Sequence, residues 1–215
     1  MSNVLVPPRY GQHIVAVGST GSGKSEFMQQ LLKCYNYRFM IDTQDSLDKI
    51  EGRSFTDPHG LAMRLKFYKS LKYKPGHEYR EKDWWNYIFA TIAHSSTKKK
   101  PKPRVVYIDE AYHVGRGTSY PAELPKAIQT TRQKQISWFV ATQRPRQLPQ
   151  EIFSEAAKVY VFYLSKFDDL VTVSKFGRQS DKELMKLLQD QTDDYSFIEI
   201  DNRKGTWTKY PPLKI

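Results

Sequence analysis

The sequence predicts an α/β domain in which a central, mostly parallel sheet carries helices on both faces. Three observations favour this fold class. A glycine-rich phosphate-binding pattern stands between an apolar run and a stretch with helical spacing. Other short apolar runs alternate with helical stretches along the chain, and one of these runs ends in two carboxylates. Because 215 residues suffice for one well-buried domain, we expect a single domain over residues 1–215.

The composition limits which kind of binding partner and which cellular compartment we expect for this chain. The chain has 34 Lys and Arg against 23 Asp and Glu, a net charge of +11, which favours a polyanionic partner. Cys34 is the only cysteine, so no intrachain disulfide can form. No apolar run has the length of a membrane span, and the first residues lack a signal-peptide pattern. We therefore expect neither a signal peptide nor a transmembrane segment.

The phosphate-binding pattern occupies residues 18–25 and follows a short apolar run, residues 13–17, that predicts a buried strand. The pattern G-x-x-x-x-G-K-[ST] is matched by Gly18, Ser19, Thr20, Gly21, Ser22, Gly23, Lys24 and Ser25. In such a loop the backbone N–H groups surround phosphates, Lys24 reaches the β- and γ-phosphates, and the Ser25 hydroxyl binds Mg²⁺. A helix over residues 24–35 would point its positive end at the same phosphates. The alternative is a glycine turn with a solvated lysine.

The stretch after the first helix is less regular. Residues 37–42 predict a second strand, and residues 43–103 predict a basic, helical insertion with helices over 59–71 and 81–94. The insertion ends in a proline-containing run of positive charge that includes Lys98, Lys99, Lys100 and Lys102. This run is either a loop that faces DNA or a solvated exposed segment.

Residues 104–110 predict a central strand that ends in Asp109 and Glu110. Parallel strands present such residues at their carboxyl edge, where ligands bind. In an enzyme with this phosphate loop, Asp109 would hold the Mg²⁺ shell and Glu110 would orient and deprotonate the attacking water. A strand ending in Asp-Glu is weak support alone, and it gains weight from the phosphate loop.

The remaining elements bring further polar residues to the sheet. A turn containing Arg116 precedes a helix over residues 121–134, which carries Arg132 near its end. The strand predicted over residues 136–142 delivers Gln143 to the same edge as the two carboxylates. The later elements are a strand over 158–164, a helix over 180–189 and a hairpin over 195–209.

The order of these motifs resembles the HerA–FtsK superfamily of ring-forming, DNA-pumping ATPases. The resemblance rests on the phosphate loop, the Asp109-Glu110 strand end, Arg132, and Ala141-Thr142-Gln143-Arg144-Pro145. It covers the core at about residues 12–164, and within the superfamily it is strongest to the genome-packaging ATPases of membrane-containing icosahedral double-stranded DNA viruses. It implies a RecA-like P-loop NTPase fold, ATP and Mg²⁺ as cofactors, double-stranded DNA as partner, and a homo-oligomeric ring, with a hexamer expected.

The resemblance also implies roles for single residues. The Walker A residues Lys24 and Ser25 and the Walker B residues Asp109 and Glu110 keep the roles given above. Gln143 would sense the γ-phosphate.

Arg132 would be a finger inserted into the neighbouring subunit's site, with Arg144 and Arg146 as rivals. Without the resemblance, Arg132 is a positive charge that complements the helix dipole. DNA contacts have no fixed signature in the superfamily, and we expect them at the four lysines of residues 98–102 and at Arg116.

Two other functions remain open from the sequence. Small-molecule phosphotransferases of the nucleotide-kinase type have the same glycine loop and a similar length. A nucleotide-gated protein could also bind DNA without moving along it. No module that reads DNA sequence follows the core, so a packaging motor would be docked by a capsid-vertex or membrane protein. The expected location of such a motor is the host cytoplasm or the virion.

Overall fold

A computed structural model describes residues 6–115, 120–176, 181–192 and 194–212. Nine strands form one sheet in the order β3-β4-β2-β5-β6-β1-β7-β8-β9. The strands are β1 (His13–Val17), β2 (Arg38–Asp42), β3 (Arg53–Phe55), β4 (Ser70–Tyr73), β5 (Arg104–Asp109), β6 (Ile136–Thr142), β7 (Ala156–Val161), β8 (Phe197–Asp201) and β9 (Thr206–Tyr210).

The helices connect these strands and cover the sheet. They are α1 (Lys24–Lys33), α2 (Leu61–Phe67), α3 (Lys82–His94), α4 (Tyr112–Gly115), α5 (Glu123–Thr131), α6 (Gln150–Glu155), α7 (Phe167–Ser174) and α8 (Asp181–Gln189). In addition, short 3-10 turns follow α5 and β6. In the described part of the chain, no helix is long and apolar enough to cross a bilayer.

The pairing of the strands places the functional motifs at one edge. Strands β1 to β7 pair with one another only in parallel, and β8 and β9 form a hairpin that pairs antiparallel with β7. Because β1 pairs with β6 and β6 with β5, the carboxyl ends of these strands lie side by side. The phosphate loop, Gln143 and the two carboxylates follow these ends directly, so they meet at the carboxyl edge of the sheet.

The alternation of side chains along β1 explains why both faces of the sheet need helices. Ile14 and Ala16 pack in a core that includes the apolar face of α1. Val15 and Val17 point to the opposite face, into a larger core that includes side chains of α3 and α5. All five residues of β1 are buried, as expected for a central parallel strand.

The fold class and the C-terminal hairpin are confirmed, and the insertion is corrected. Residues 43–103 contain α2 and α3 but also two parallel strands, β3 and β4, which extend the sheet. Strand β3 has three residues, none of them fully buried, so it lacks the apolar pattern by which a strand is detected. The strand predicted over 158–164 instead spans Ala156–Val161, and helices α6 and α7 were not predicted.

Candidate active site

The phosphate loop takes a backbone path that requires glycine. Gly21 and Gly23 have φ values of 82° and 93°, in the left-handed region that favours glycine. At Gly18 a Cβ atom would lie 2.5 Å from the Ser22 hydroxyl oxygen and 2.6 Å from Phe162 Cβ. A side chain at any of these positions would therefore distort the loop or displace its neighbours.

The two strands beside β1 anchor the loop. The Gly18 amide donates to the Thr142 carbonyl (3.3 Å), and the Ser19 amide donates to the Tyr163 carbonyl (2.8 Å). The Ser19 hydroxyl also accepts a hydrogen bond from the Ser165 amide at 3.1 Å. These bonds hold the start of the loop between β6 and β7, and the end of the loop leads directly into α1.

A cavity of about 480 Å³ opens at the phosphate loop. Its lining contains Gln143 and seven of the eight phosphate-loop residues, all but Gly18. The complete lining is Ser19, Thr20, Gly21, Ser22, Gly23, Lys24, Ser25, Glu26, Gln44, Gln143 and Tyr195. Asp109 and Glu110 are not part of this lining; Asp109 is the last residue of β5, Glu110 follows it, and both are buried.

The expected phosphate lysine and the expected base form a buried ion pair. Lys24 Nζ lies 3.5 Å from Glu110 Oε2, and the two side chains are 6% and 5% exposed. The other carboxylate oxygen, Oε1, accepts hydrogen bonds from the Thr142 hydroxyl (3.1 Å) and the Gln143 amide (2.9 Å). Glu110 has a φ of 53°, an unfavourable value for a residue with a side chain that is characteristic of functional sites. These contacts aim Glu110 at the phosphate loop.

This pair predicts a stability effect that does not depend on nucleotide. Lys24→Met should lower the free energy of unfolding by about 3–5 kcal/mol, because Glu110 Oε2 is left buried without a counter-charge. Adding Glu110→Gln should restore most of the loss. Thermal or denaturant unfolding measures both variants.

Lys158→Met is the matched control. Lys158 lies 2.7 Å from Glu199 but is 28% exposed, so its loss should lower the free energy of unfolding by less than the loss of Lys24. A double variant no more stable than Lys24→Met would contradict the pairing.

Asp109 is held by two residues that the sequence motifs do not include. Its Oδ1 accepts a hydrogen bond from the Tyr107 hydroxyl at 2.6 Å, and its Oδ2 accepts one from the Ser46 hydroxyl. Burial, together with the neighbouring Asp109 charge, raises the pKa of Tyr107 well above its usual value, so Tyr107 stays a donor. Asp109 and the Ser25 hydroxyl offer the hard oxygen donors that Mg²⁺ prefers, so these residues fit the implied metal.

Gln143 joins the phosphate loop to Glu110. Its side-chain oxygen accepts a hydrogen bond from the Thr20 hydroxyl of the phosphate loop at 2.6 Å, and its amide holds Glu110. One residue therefore contacts both the loop that would hold the phosphates and the expected base.

The three candidate arginines lie at opposite edges of the sheet. Arg132 precedes β6 and is exposed at the amino edge, and no ion pair of its side chain is found among the described residues. Arg144 follows β6 at the carboxyl edge, with its Nε atom 3.7 Å from Asp169 Oδ2, and Arg146 contacts Asp168. Arg144 and Arg146 are thus paired within their own chain, and Arg144 lines a small cavity with Ser19 and Thr20 of the phosphate loop.

The lysine run lies at the amino edge, beside Arg132. Lys98, Lys99, Lys100 and Lys102 are all exposed. The Lys102 amide donates to the Ser96 hydroxyl (2.7 Å), which itself donates to the Lys134 carbonyl (2.8 Å). The run is therefore fastened to the turn that carries Arg132. Arg116, the remaining expected DNA contact, lies outside the described residues.

Three residues near the site lie outside the motifs. The contact of Tyr107 with Asp109 could have been predicted, because Tyr107 precedes Asp109 by two residues and so lies on the same face of β5. Ser46 and Gln44 stand in the loop after β2 and match no pattern. The Gln44 side-chain nitrogen lies 2.6 Å from His113 Nε2, which connects the cavity to helix α4.

Solved structures with the same fold include viral packaging enzymes. The genome packaging NTPase B204 from Sulfolobus turreted icosahedral virus 2, in complex with AMPPCP, has a TM-score of 0.75 and 18% identity, over 95% of this chain and 98% of that one. The DNA-packaging ATPase B204 from Sulfolobus turreted icosahedral virus has a TM-score of 0.74 and 17% identity, over 96% and 100%. VirB4 of Thermoanaerobacter pseudethanolicus has a TM-score of 0.62 and 11% identity, over 94% and 89%.

No family model matches the sequence, and no curated protein matches it. At the identities of the solved structures, the likeness shows a shared fold. It confirms the RecA-like P-loop NTPase fold, which is the fold that the resemblance to the HerA–FtsK superfamily implied.

Proposed function

We propose that this chain is a Mg²⁺-dependent ATPase that moves double-stranded DNA, and that it packages a viral genome into a preformed capsid as a homo-oligomeric ring. The observation that carries the proposal is the convergence of Lys24, Glu110 and Gln143 at one phosphate loop. A carboxylate held 3.5 Å from the phosphate lysine suits the activation of water beside a terminal phosphate. The shared fold with viral packaging NTPases supports the same conclusion.

The chemistry follows from these positions. Backbone N–H groups of the loop and Lys24 bind the β- and γ-phosphates, and Lys24 leaves Glu110 to do so. Glu110 then accepts a proton from a water molecule whose oxygen attacks the γ-phosphorus, while the bond to the bridging oxygen breaks and ADP leaves. Ser25 and Asp109 would hold Mg²⁺, which neutralises charge on the phosphates when it is bound.

The basic surface at the amino edge is the proposed DNA contact. Four exposed lysines in residues 98–102 add to the charge of Lys66, which lines a separate cavity of about 560 Å³ together with Lys102 and His94. Lysine contacts with the DNA backbone neutralise its phosphates and do not read the base sequence. Because each lysine of this surface that neutralises a phosphate releases counterions, DNA binding should depend steeply on salt.

Steady-state ATP hydrolysis, measured with and without double-stranded DNA over a range of protein concentrations, tests the proposal. We expect DNA to stimulate hydrolysis, and specific activity to rise with concentration because the ring must assemble. Lys99→Ala/Lys100→Ala should lower the slope of log affinity against log salt by about 2, whereas Lys33→Ala/Lys209→Ala, with the same loss of charge on exposed residues, should leave it unchanged.

This hydrolysis assay, combined with an assay for displacement of a DNA-bound roadblock, separates the other functions. Hydrolysis that ignores DNA and concentration but responds to added nucleoside monophosphates would overturn the motor and favour a phosphotransferase. Hydrolysis that responds to DNA without any displacement of a DNA-bound roadblock would favour a nucleotide-gated binding protein.

A further inference from the structure

We propose that the ring of Tyr195 is the face on which the base of the bound nucleoside triphosphate stacks, at the end of the cavity away from Glu110. This inference rests on the proposed function, because it takes the phosphate loop to bind a nucleoside triphosphate. It concerns a residue far from both nucleotide motifs in the sequence. Three features of Tyr195 carry it: its position along the sheet edge, its exposure, and the rigidity of its turn.

The order of the strands fixes the direction of the nucleotide. Across the carboxyl edge the strands follow as β5, β6, β1, β7 and β8. Glu110 follows β5, and Tyr195 stands two residues before β8, whose antiparallel pairing with β7 (Val161 opposite Ile198) places its start at this edge. From β6 to β8 there are three strand spacings, about 14 Å. A triphosphate with its terminal phosphate near Glu110 and Gln143 therefore directs its base toward Tyr195.

Tyr195 is a large aromatic side chain without a partner in a concave site. It is 59% exposed and lines the phosphate cavity. A Cβ atom built on Gly23 would lie 3.2 Å from Tyr195 Cδ1, so the edge of the ring lies against the loop. Among the described residues, no other ring stacks on it and no group bonds its hydroxyl. A base has an apolar face that would cover this ring and remove it from water.

The turn holds Tyr195 in place before any ligand binds. Its φ is 64°, a left-handed value that costs free energy for a tyrosine. The Ser196 amide donates to Asp194 Oδ1 at 3.0 Å, and the Ser196 side chain together with this amide lowers the pKa of Asp194. The buried Gln191 side-chain nitrogen donates to the carbonyls of Val161 (3.3 Å) and Ser196 (3.0 Å). The backbone that carries the ring therefore loses little freedom on binding a base.

Two variants of the full chain test the inference by competition binding with ATP and with inorganic tripolyphosphate. Tyr195→Phe keeps the ring and is the matched control. Tyr195→Asn removes the ring and is chosen because asparagine tolerates a left-handed backbone. We expect Tyr195→Asn to bind ATP about 10-fold more weakly and tripolyphosphate as well as the unaltered protein does, with Tyr195→Phe unchanged for both.

Each other outcome has a definite meaning. If Tyr195→Asn binds ATP like the unaltered protein, the base does not stack on Tyr195, and the proposed function stands. If it loses ATP and tripolyphosphate affinity equally, Tyr195 supports the phosphate loop and the inference is wrong. If the unaltered protein binds neither ligand, the proposed function fails and the inference fails with it.

Discussion

Glu110→Gln is expected to lower the rate of ATP hydrolysis by about 10²–10⁴-fold while ATP still binds. Glutamine has nearly the same shape and can keep the hydrogen bonds that Oε1 accepts from Thr142 and Gln143. It cannot accept the proton that the attacking water must lose. The change therefore removes the base and keeps the Oε1 contacts, while Lys24 loses its counter-charge in the free protein and regains one from the phosphates of bound ATP.

Hydrolysis under saturating ATP measures the first part of this result, and nucleotide binding at equilibrium measures the second. Glu123→Gln is the matched control, because it removes one negative charge from helix α5 without touching the cavity. Unchanged turnover in Glu110→Gln would show that Glu110 is not the catalytic base. Loss of ATP binding would show that the carboxylate shapes the loop. Both measurements are needed, because turnover alone cannot separate these two roles.

The sequence predicted the centre of the sheet better than its margins. The bounds of β1 and β6 match the predicted strands, because both are buried along their whole length and consist of apolar runs. Strand β4 was missed because it has four residues and includes a buried lysine, Lys72, which no apolar pattern would select. Its pairing with β2 is a tertiary contact, and short-range patterns do not contain such information.

The residues of the site also differ in how well the sequence could predict them. The phosphate loop is local in sequence, so its glycines and Lys24 could be read from one motif. The partners of the acidic residues come from distant segments: Ser46 is 63 residues from Asp109, and Glu110 is 86 residues from Lys24. A strand end pointed to the carboxylates, but only the fold shows which hydroxyl or lysine each of them meets. Tyr195 matches no motif at all, and only the start of β8 brings it to Gly23.

The position of Arg132 limits how it could act. The seven residues of β6 separate it from Gln143 and the phosphate loop, a distance of about 20 Å along the sheet. An arginine side chain cannot span this distance, so Arg132 cannot reach the phosphates of its own subunit. If it stabilises the γ-phosphoryl group, it does so in a neighbouring subunit. A head-to-tail ring allows this, because the amino edge of one copy can face the carboxyl edge of the next.

Arg132→Ala is therefore expected to lower hydrolysis by about 10³–10⁵-fold, the range for loss of an arginine finger, and to leave ATP binding to the isolated subunit unchanged. Mixing it with the inactive Glu110→Gln chain should restore activity. In a mixed ring, an Arg132→Ala subunit keeps its own Glu110 and can receive Arg132 from a Glu110→Gln neighbour. At equal mixing about a quarter of the interfaces should combine both intact residues.

The rival arginines supply the control for this mixing experiment. Arg144 pairs with Asp169 and lies near its own phosphate loop, so a role for it would be exercised within one subunit. If all residues of a site come from one subunit, two variants that each lack one of these residues cannot restore activity when they are mixed. Arg144→Ala mixed with Glu110→Gln should stay inactive if Arg144 acts in cis, and recovery there but not with Arg132→Ala would transfer the finger to Arg144. If Arg132→Ala alone hydrolyses ATP normally, its charge serves only the end of α5, and hydrolysis then needs no arginine from this edge of the sheet.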